Sequence, residues 1–206
     1  MFLINPTKHL TDQLKRSVDG ESKIDETFPN IIGYSCGNIR RLLNNLNSIS
    51  GINYLEVGLN QGLTFCSAIY KNNINAYGID WWKDEFSSAK DKFYKNLSGI
   101  SHSSKLRIIE GDFRDSVDVI DEKIDIYFYD GSHLYQDQYD AIIYLYPKLN
   151  DKFILLIDDY ANDQVQMGSK DAINKLQLKI KFEMVFPNIE PKRPWWKGLY
   201  IGILEK

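Results

Sequence analysis

The chain has 206 residues, a length that α/β folds cover as a single domain. Its formal net charge is only −3, and charged residues make up 26% of it. Because it has no excess of Lys and Arg to neutralise a phosphate backbone, we do not expect nucleic acid as a partner. The longest apolar run, Ala141 to Tyr146, has six residues, far fewer than the ~20 that span a bilayer. We therefore expect a soluble protein without a membrane partner.

The cysteine content and the N-terminal segment suggest where the protein works and how it is organised. Cys36 and Cys66 have no partner at a metal-binding or redox spacing, which favours a reduced, cytoplasmic setting. Residues 1–30 are mostly polar and show no helical periodicity. We interpret residues 1–36 as a cap or lid segment and residues 37–206 as one domain. The oligomeric state, including a homo-oligomer, stays open.

From residue 52 onward, short apolar segments alternate with helical patterns, which is typical of βαβ units. The predicted strands are Asn53–Val57, Ala76–Asp80, Leu106–Glu110, Ile124–Tyr129, Phe153–Ile157, Ile180–Phe186 and Leu199–Leu204. The predicted helices lie at about 37–47, 62–72, 86–97, 134–146 and 166–177. This order predicts a doubly wound, Rossmann-like α/β fold with a mostly parallel sheet of seven strands.

Two features of the strands refine this prediction. The apolar run at Phe153–Ile157 is continuous, as expected for a strand that helices cover on both faces. The last two strands are joined by Pro187–Trp196, which contains three prolines and no helical pattern. We therefore expect them to pair antiparallel.

Acidic residues stand at or just past the ends of the first five predicted strands. They are Glu56, Asp80, Asp112, Asp130, Asp158 and Asp159. Ligands of doubly wound folds bind at the carboxyl ends of the parallel strands. The sequence therefore predicts an acidic ligand site at this edge of the sheet.

The first strand runs into a glycine-containing turn. Gly58 and Gly62 allow a tight turn and a close approach of a ligand to the backbone, and we place Glu56 and Asn60 in the same cofactor-binding segment. The third glycine of a dinucleotide fingerprint is absent, which disfavours an NAD-binding oxidoreductase. A plain strand-to-helix turn is the alternative reading.

The next two strand ends extend the candidate cofactor site. Asp80 can accept hydrogen bonds from both hydroxyls of a ribose. Trp81 or the adjacent Trp82 can stack on an adenine ring, although both can instead be core aromatics. Asp112 and Phe113 suit the amino group and the ring of adenine.

This ordered set resembles the motifs of class I S-adenosylmethionine-dependent methyltransferases, over residues ~50–206. The strings Asp130-Gly131-Ser132-His133-Leu134-Tyr135 and Asp158-Asp159-Tyr160 resemble the subgroup that contains macrocin-type sugar O-methyltransferases. The resemblance implies the strand order 3-2-1-4-5-7-6 and a methyl donor above the first two strands. In metal-dependent members it also implies a magnesium site at the ends of the fourth and fifth strands.

The residues themselves point to the same metal site. Asp130 and the pair Asp158-Asp159 end strands that should be neighbours, and like charges this close raise one another's pKa unless a cation intervenes. An all-oxygen set of ligands favours a hard ion such as Mg²⁺. In the alternative reading, one of the three carboxylates caps a helix and the others face solvent.

His133 lies past the fourth strand, three residues after Asp130, and His133 or an aspartate such as Asp130 is the candidate general base. A purely structural histidine is the alternative. The loop before the last strand, with Lys192, Arg193, Trp195 and Trp196, is a candidate wall of the acceptor pocket, and so is Tyr34. The tryptophans can stack on the acceptor or pack beneath the loop.

The sequence thus predicts an S-adenosylmethionine-dependent methyltransferase. We expect it to methylate a hydroxyl group on a small molecule, a sugar or an aromatic compound, with help from Mg²⁺. A Rossmann-type oxidoreductase and a non-catalytic cofactor-binding domain are the alternatives.

Overall fold

The computed structural model describes residues 5–83, 86–189 and 194–206. Its helices are α1 (Pro6–Val18), α2 (Gly37–Leu46), α3 (Leu63–Ile69), α4 (Ala89–Ser98), α5 (Tyr135–Leu145) and α6 (Asp163–Lys175). Its strands are β1 (Asn53–Val57), β2 (Asn75–Asp80), β3 (Lys105–Glu110), β4 (Ile124–Tyr129), β5 (Leu149–Ile157), β6 (Lys179–Phe186) and β7 (Leu199–Glu205).

The seven strands form one sheet in the order β3-β2-β1-β4-β5-β7-β6. The first five strands are parallel, and β7 runs antiparallel to both β5 and β6. This confirms the predicted doubly wound fold, its strand order and the antiparallel pairing of the last two strands. The order places the ends of β1 and β4 side by side, although helices α3 and α4 and strands β2 and β3 separate them in the chain.

Helices cover both faces of the sheet. Side chains of a strand point alternately to opposite faces, so neighbouring residues of one strand belong to different core clusters. On β5, Ile154 and Leu156 belong to one core cluster, together with buried residues of α1 to α4. Leu155 and Ile157 belong to the other cluster, with buried residues of α5 and α6. Burial on both faces explains why this strand reads as an unbroken apolar run.

Helix α1 lies within residues 1–30, where the sequence shows no helical periodicity. Asn5 caps the helix by accepting a hydrogen bond from the Lys8 N–H at 2.9 Å, and Pro6 begins it. Leu10 and Leu14 reach the core, 0% and 9% exposed. Two leucines four residues apart make too narrow an apolar stripe for periodicity alone to reveal the helix. The cap function and the boundary at residue 36 stay predictions.

No helix in the described ranges is long and apolar enough to cross a membrane.

Candidate active site

A cavity of about 740 Å³ opens at the carboxyl ends of β1, β2, β4 and β5. Of the residues singled out from the sequence, it is lined by Tyr34, Gly58, Asn60, Asp80, Trp81, Trp82, Asp130, His133, Asp158, Asp159 and Trp196. A smaller cavity of about 210 Å³ is lined by Asp112 and Phe113, and it shares Gly58, Asp80 and Trp81 with the first. The two cavities together lie where doubly wound folds bind ligands.

Gly58 allows the chains that leave β1 and β4 to pass close to each other. Its φ is +95°, in the left-handed region that favours glycine. A Cβ atom at this position would collide with the backbone carbonyl oxygen of Asp130. The same residue therefore shapes the turn after β1 and sets the backbone of Asp130 beside it.

Asp80 holds the loop after β1 in place. One carboxylate oxygen accepts hydrogen bonds from the N–H groups of Leu59 at 2.7 Å and Asn60 at 2.8 Å. The other accepts from the N–H of Trp82 at 2.7 Å. A carboxylate offers roughly four acceptor positions, so three backbone donors leave little capacity for two ribose hydroxyls. The structure shows a loop-fastening contact, and the ribose contact of Asp80 stays a prediction.

Glu56 and Gly62 are not among the described residues that line either cavity. Glu56 is fully buried, and its carboxylate accepts hydrogen bonds from the hydroxyls of Tyr54 and Thr64, each at 2.5 Å. Burial raises the pKa of Glu56 to about 8, despite these two hydrogen bonds. Gly62 has a φ of +89° and is the N-cap of α3, where an added Cβ would collide with the ring of Phe93. Both positions build the loop from inside the core, so the geometry does not support direct cofactor contacts for them.

The two consecutive tryptophans have separate environments. The side chain of Trp81 is 47% exposed and lines both cavities. Trp82 is 5% exposed, its ring centroid lies 5.2 Å from that of Phe93, and its indole N–H donates to the Asn60 carbonyl at 2.8 Å. Trp81 is thus the indole available to a ligand, while Trp82 mainly supports the loop.

Asp112 is paired with an arginine that the sequence interpretation missed. The Arg114 guanidinium contacts Asp112 at 3.2 Å, Asp137 at 2.5 Å and Asp140 at 2.8 Å. It also lies 4.5 Å from the ring centroid of Phe113. Arg114 therefore ties the end of β3 to α5 and holds both predicted adenine contacts in place.

Three predicted site residues converge at the ends of β4 and β5. One potential ligand atom from each of Asp130, His133 and Asp159 lies within 4.8 Å of the others. The His133 Nε2–H donates to Asp159 at 2.6 Å, and the Lys197 ammonium contacts the other oxygen of Asp159 at 3.2 Å. Asp158 is 6% exposed, and its Oδ1 has no hydrogen-bond partner among the residues that the structure describes.

Among the described residues, the cluster carries more negative than positive charge, and the pKa values reflect this. Burial and the charges of Asp158 and Asp159 raise the pKa of Asp130 well above its usual range. Burial and the charge of Asp159 raise the pKa of Asp158 to about 7. Burial also opposes ionisation of Asp159, but the hydrogen bond from His133 and the charges of His133 and Lys197 hold its pKa below the usual value. Asp159 is thus the compensated carboxylate of the three.

The outer wall of the larger cavity comes from two segments that are distant in the chain. Tyr34 is 69% exposed, and its ring lies 6.2 Å from that of Trp196. Trp195 is 6% exposed and stacks on Phe186 at 4.2 Å. Of the two tryptophans, one therefore lines the cavity and the other packs beneath the loop. Lys192 and Arg193 lie outside the described residues.

The sequence analysis also missed Lys197, which lines the same cavity. It stands in a Trp-Trp-Lys-Gly string 38 residues after Asp159, and nothing in that spacing predicts their contact. The sequence gives only a weak signal for this contact. A cationic residue before the last strand suggests a partner for one of the acidic strand ends, but it does not indicate which one.

The fold, with its strand order β3-β2-β1-β4-β5-β7-β6, is that of class I S-adenosylmethionine-dependent methyltransferases, which confirms the resemblance seen in the sequence. A family model described as a methyltransferase domain matches residues 55–160, just over half of the chain. The chain belongs to this methyltransferase family. Family membership decides against the oxidoreductase alternative. A search of curated protein sequences found no match.

Solved structures with the same fold include three from different organisms. TomG from Streptomyces achromogenes, an O-methyltransferase of tomaymycin synthesis solved with SAM, has a TM-score of 0.63 at 14% identity over 99% of this chain and 100% of that one. An O-methyltransferase from Bacillus cereus solved with SAH has a TM-score of 0.59 at 13% identity over 98% and 93%. Precorrin 8W decarboxylase from Methanobacterium thermoautotrophicum has a TM-score of 0.60 at 16% identity over 88% and 98%. Similarity at these identities establishes the fold alone.

Proposed function

We propose that this protein is an S-adenosylmethionine-dependent O-methyltransferase that acts on a hydroxyl group of a small molecule and is assisted by Mg²⁺. One observation carries the proposal. The loop after β1, where this fold holds its cofactor, and the Asp130, His133, Asp158 and Asp159 side chains line one cavity of about 740 Å³. A methyl donor and an acceptor hydroxyl bound there would be neighbours. TomG and the Bacillus cereus enzyme, which share the fold and were solved with SAM or SAH, support the choice of cofactor.

The residues present fit a divalent cation. The Oδ1 atom of Asp158 is buried without a partner among the described residues. Burial and nearby like charges also disfavour the ionised form of Asp130 when no cation is bound. Asp130, Asp158 and Asp159 would hold the ion through oxygen, the ligand type that Mg²⁺ prefers. When bound there, Mg²⁺ would lower the pKa of a coordinated hydroxyl group.

His133 is the candidate proton acceptor. Its Nε2–H donates to Asp159, which leaves Nδ1 with a lone pair when the ring is neutral, and its side chain is 42% exposed. Asp159 thereby orients the ring and stabilises the charge that the ring gains with a proton. S-adenosylmethionine, when bound, would supply a sulfonium methyl group, whose S–CH₃ bond would break as the acceptor oxygen forms the O–CH₃ bond. The proton of the acceptor hydroxyl goes to His133, and positioning by the cavity supplies much of the rate.

The cavity wall favours a ring-shaped acceptor. Tyr34 and Trp196 present aromatic surface beside the acidic cluster. Exposed aromatic side chains bind sugar faces and aromatic rings well, because both offer flat apolar surface. Both residues lie outside the family match at residues 55–160, as expected for determinants of one protein's own substrate.

Two measurements test the proposal. Titration calorimetry should detect binding of S-adenosylhomocysteine to the protein and no binding of NAD. Transfer of a labelled methyl group should be found with members of a panel of catechols and sugars, and EDTA should abolish it. Binding of S-adenosylhomocysteine without turnover on any acceptor would favour the non-catalytic alternative, and full activity in EDTA would remove the metal from the mechanism.

A further inference from the structure

Lys197 lies in the turn before β7 and is tied to the segment that follows β5. Its ammonium nitrogen is 3.2 Å from Oδ1 of Asp159. Its backbone carbonyl accepts a hydrogen bond from the N–H of Ala161 at 2.9 Å, and its own N–H donates to the side chain of Asn188 at 3.2 Å. The contact between Lys197 and Asp159 is therefore supported by backbone bonds on both sides.

Both residues of this pair have unusual backbone conformations. The φ of Lys197 is +61° and that of Asp159 is +53°, in the left-handed region that residues other than glycine rarely adopt. Such conformations persist where the surrounding contacts enforce them, and they are frequent at functional sites. The conformations bring one cationic and one anionic side chain together at the cavity.

Among the residues that the structure describes, one lysine contacts the cluster of three carboxylates. Lys197 and His133 each contact one oxygen of Asp159, while Oδ1 of Asp158 has no partner among the described residues. The lysine side chain is 48% exposed. A lysine carries a compact charge on a flexible stem, so it can leave a carboxylate at small cost.

We infer that Lys197 is the resident counter-ion of this cluster and that a divalent cation must displace it from Asp159. Lys197 would then set the affinity of the site for metal and would be released towards the cavity when metal binds. The inference rests on the metal site of the proposed function. In this inference, the turn before β7, which lies outside the family match, controls how tightly the residues after β4 and β5 bind metal.

The test measures binding of Mn²⁺ alone, by electron paramagnetic resonance of the free ion, without cofactor or acceptor. Lys197→Met removes the charge and keeps most of the side chain, and Lys197→Arg keeps the charge. Lys83→Met is the matched control, since Lys83 lines the same cavity but places its ammonium 3.3 Å from the ring centroid of Trp81. If Lys197→Met does not fold, Lys197→Gln replaces it.

We expect Lys197→Met to bind Mn²⁺ at least ~3-fold more tightly than the wild type. In the variant, the metal no longer has to break the partly exposed ion pair between Lys197 and Asp159. Lys197→Arg and Lys83→Met should stay within about two-fold of the wild type. Equal or weaker binding by Lys197→Met would overturn the inference and leave the metal site standing. Absence of Mn²⁺ binding in every protein at millimolar concentrations would overturn the metal site itself, so the two failures are distinguishable.

Discussion

Asp158 and Asp159 are adjacent in the chain, yet their carboxylates have opposite environments. Asp159 contacts both His133 and Lys197, whereas Oδ1 of Asp158 is buried without a partner among the described residues. The left-handed backbone of Asp159, with a φ of +53°, accompanies this divergence of the two side chains. The pair thus combines one compensated carboxylate with one that a cation would stabilise.

The Asp158→Asn variant should therefore be at least as stable as the wild type in EDTA. Burial and the charge of Asp159 raise the pKa of Asp158 to about 7, so its ionised form is costly near neutral pH. Added Mg²⁺ should raise the melting temperature of the wild type by mass action and leave that of the variant unchanged. Affinity for S-adenosylhomocysteine should stay within a few-fold of wild type. Equal stabilisation of both proteins by Mg²⁺ in a thermal-shift assay would exclude Asp158 as an essential ligand.

Asp80→Ala should weaken binding of S-adenosylhomocysteine at least ~10-fold, since hydrogen bonds to a charged group contribute about 1.5–3 kcal/mol each. The structure makes the cause indirect, because the variant releases the N–H groups of Leu59 and Asn60 that the carboxylate fastens. Calorimetry measures the change, with Asp118→Ala at an exposed position as the control. An unaltered dissociation constant for Asp80→Ala would contradict the role of the fastened loop.

Gly58→Ala should lower the free energy of unfolding far more than Gly51→Ala. Both glycines have positive φ values, +95° and +79°, so both substitutions introduce backbone strain of about 1 kcal/mol. A Cβ at Gly51 meets nothing within 4 Å, whereas at Gly58 it collides with the Asp130 carbonyl. We expect urea unfolding to show an additional loss of at least ~2 kcal/mol for Gly58→Ala. Similar losses for the two variants would contradict the close approach of Gly58 to the Asp130 carbonyl.

Glu56 should make stability fall as the pH rises. Its pKa is about 8 in the folded protein against an ordinary value of 4.5, so between these values the folded state holds a proton that the unfolded state has lost. The free energy of unfolding should then decrease by up to ~1.4 kcal/mol per pH unit in this window and level off above it. Glu56→Gln removes the titrating group at the same size, so its stability should depend less on pH.

Urea unfolding at several pH values between 5 and 9 measures this difference. Asp130 and Asp158 also have raised pKa values and contribute slopes of the same sign. The informative quantity is therefore the difference in slope between wild type and variant. Parallel curves would mean that Glu56 is ionised in the folded protein at neutral pH.

The adjacent tryptophans Trp195 and Trp196 should give opposite phenotypes. Trp196→Ala should raise KM for the methyl acceptor while leaving stability nearly unchanged, because the residue lines the cavity beside Tyr34. Trp195→Ala should cost about 3–5 kcal/mol of stability, since its buried ring stacks on Phe186. Steady-state kinetics and urea unfolding on both variants separate the effects. A Trp196 variant with unchanged KM would remove this residue from the acceptor site.

The sequence predicted the parts of the protein that depend on local pattern. Apolar runs such as Phe153–Ile157 indicated buried strands, and alternation with helices indicated a doubly wound sheet. Acidic residues at strand ends had to gather at one edge, because parallel strands share their direction. The convergence of Asp130 and Asp159, which are far apart in the chain, followed from this rule.

Tertiary structure alone decided how each side chain is used. Asp80 and Asp112 stand at the predicted strand ends, but backbone N–H groups occupy the first and Arg114 pairs with the second. The contact between Lys197 and Asp159 depends on two turns meeting across the ends of β5 and β7. Spacing within a strand or helix fixes which face a residue shares, whereas a partner from a distant turn depends on how loops pack, and no local period encodes that.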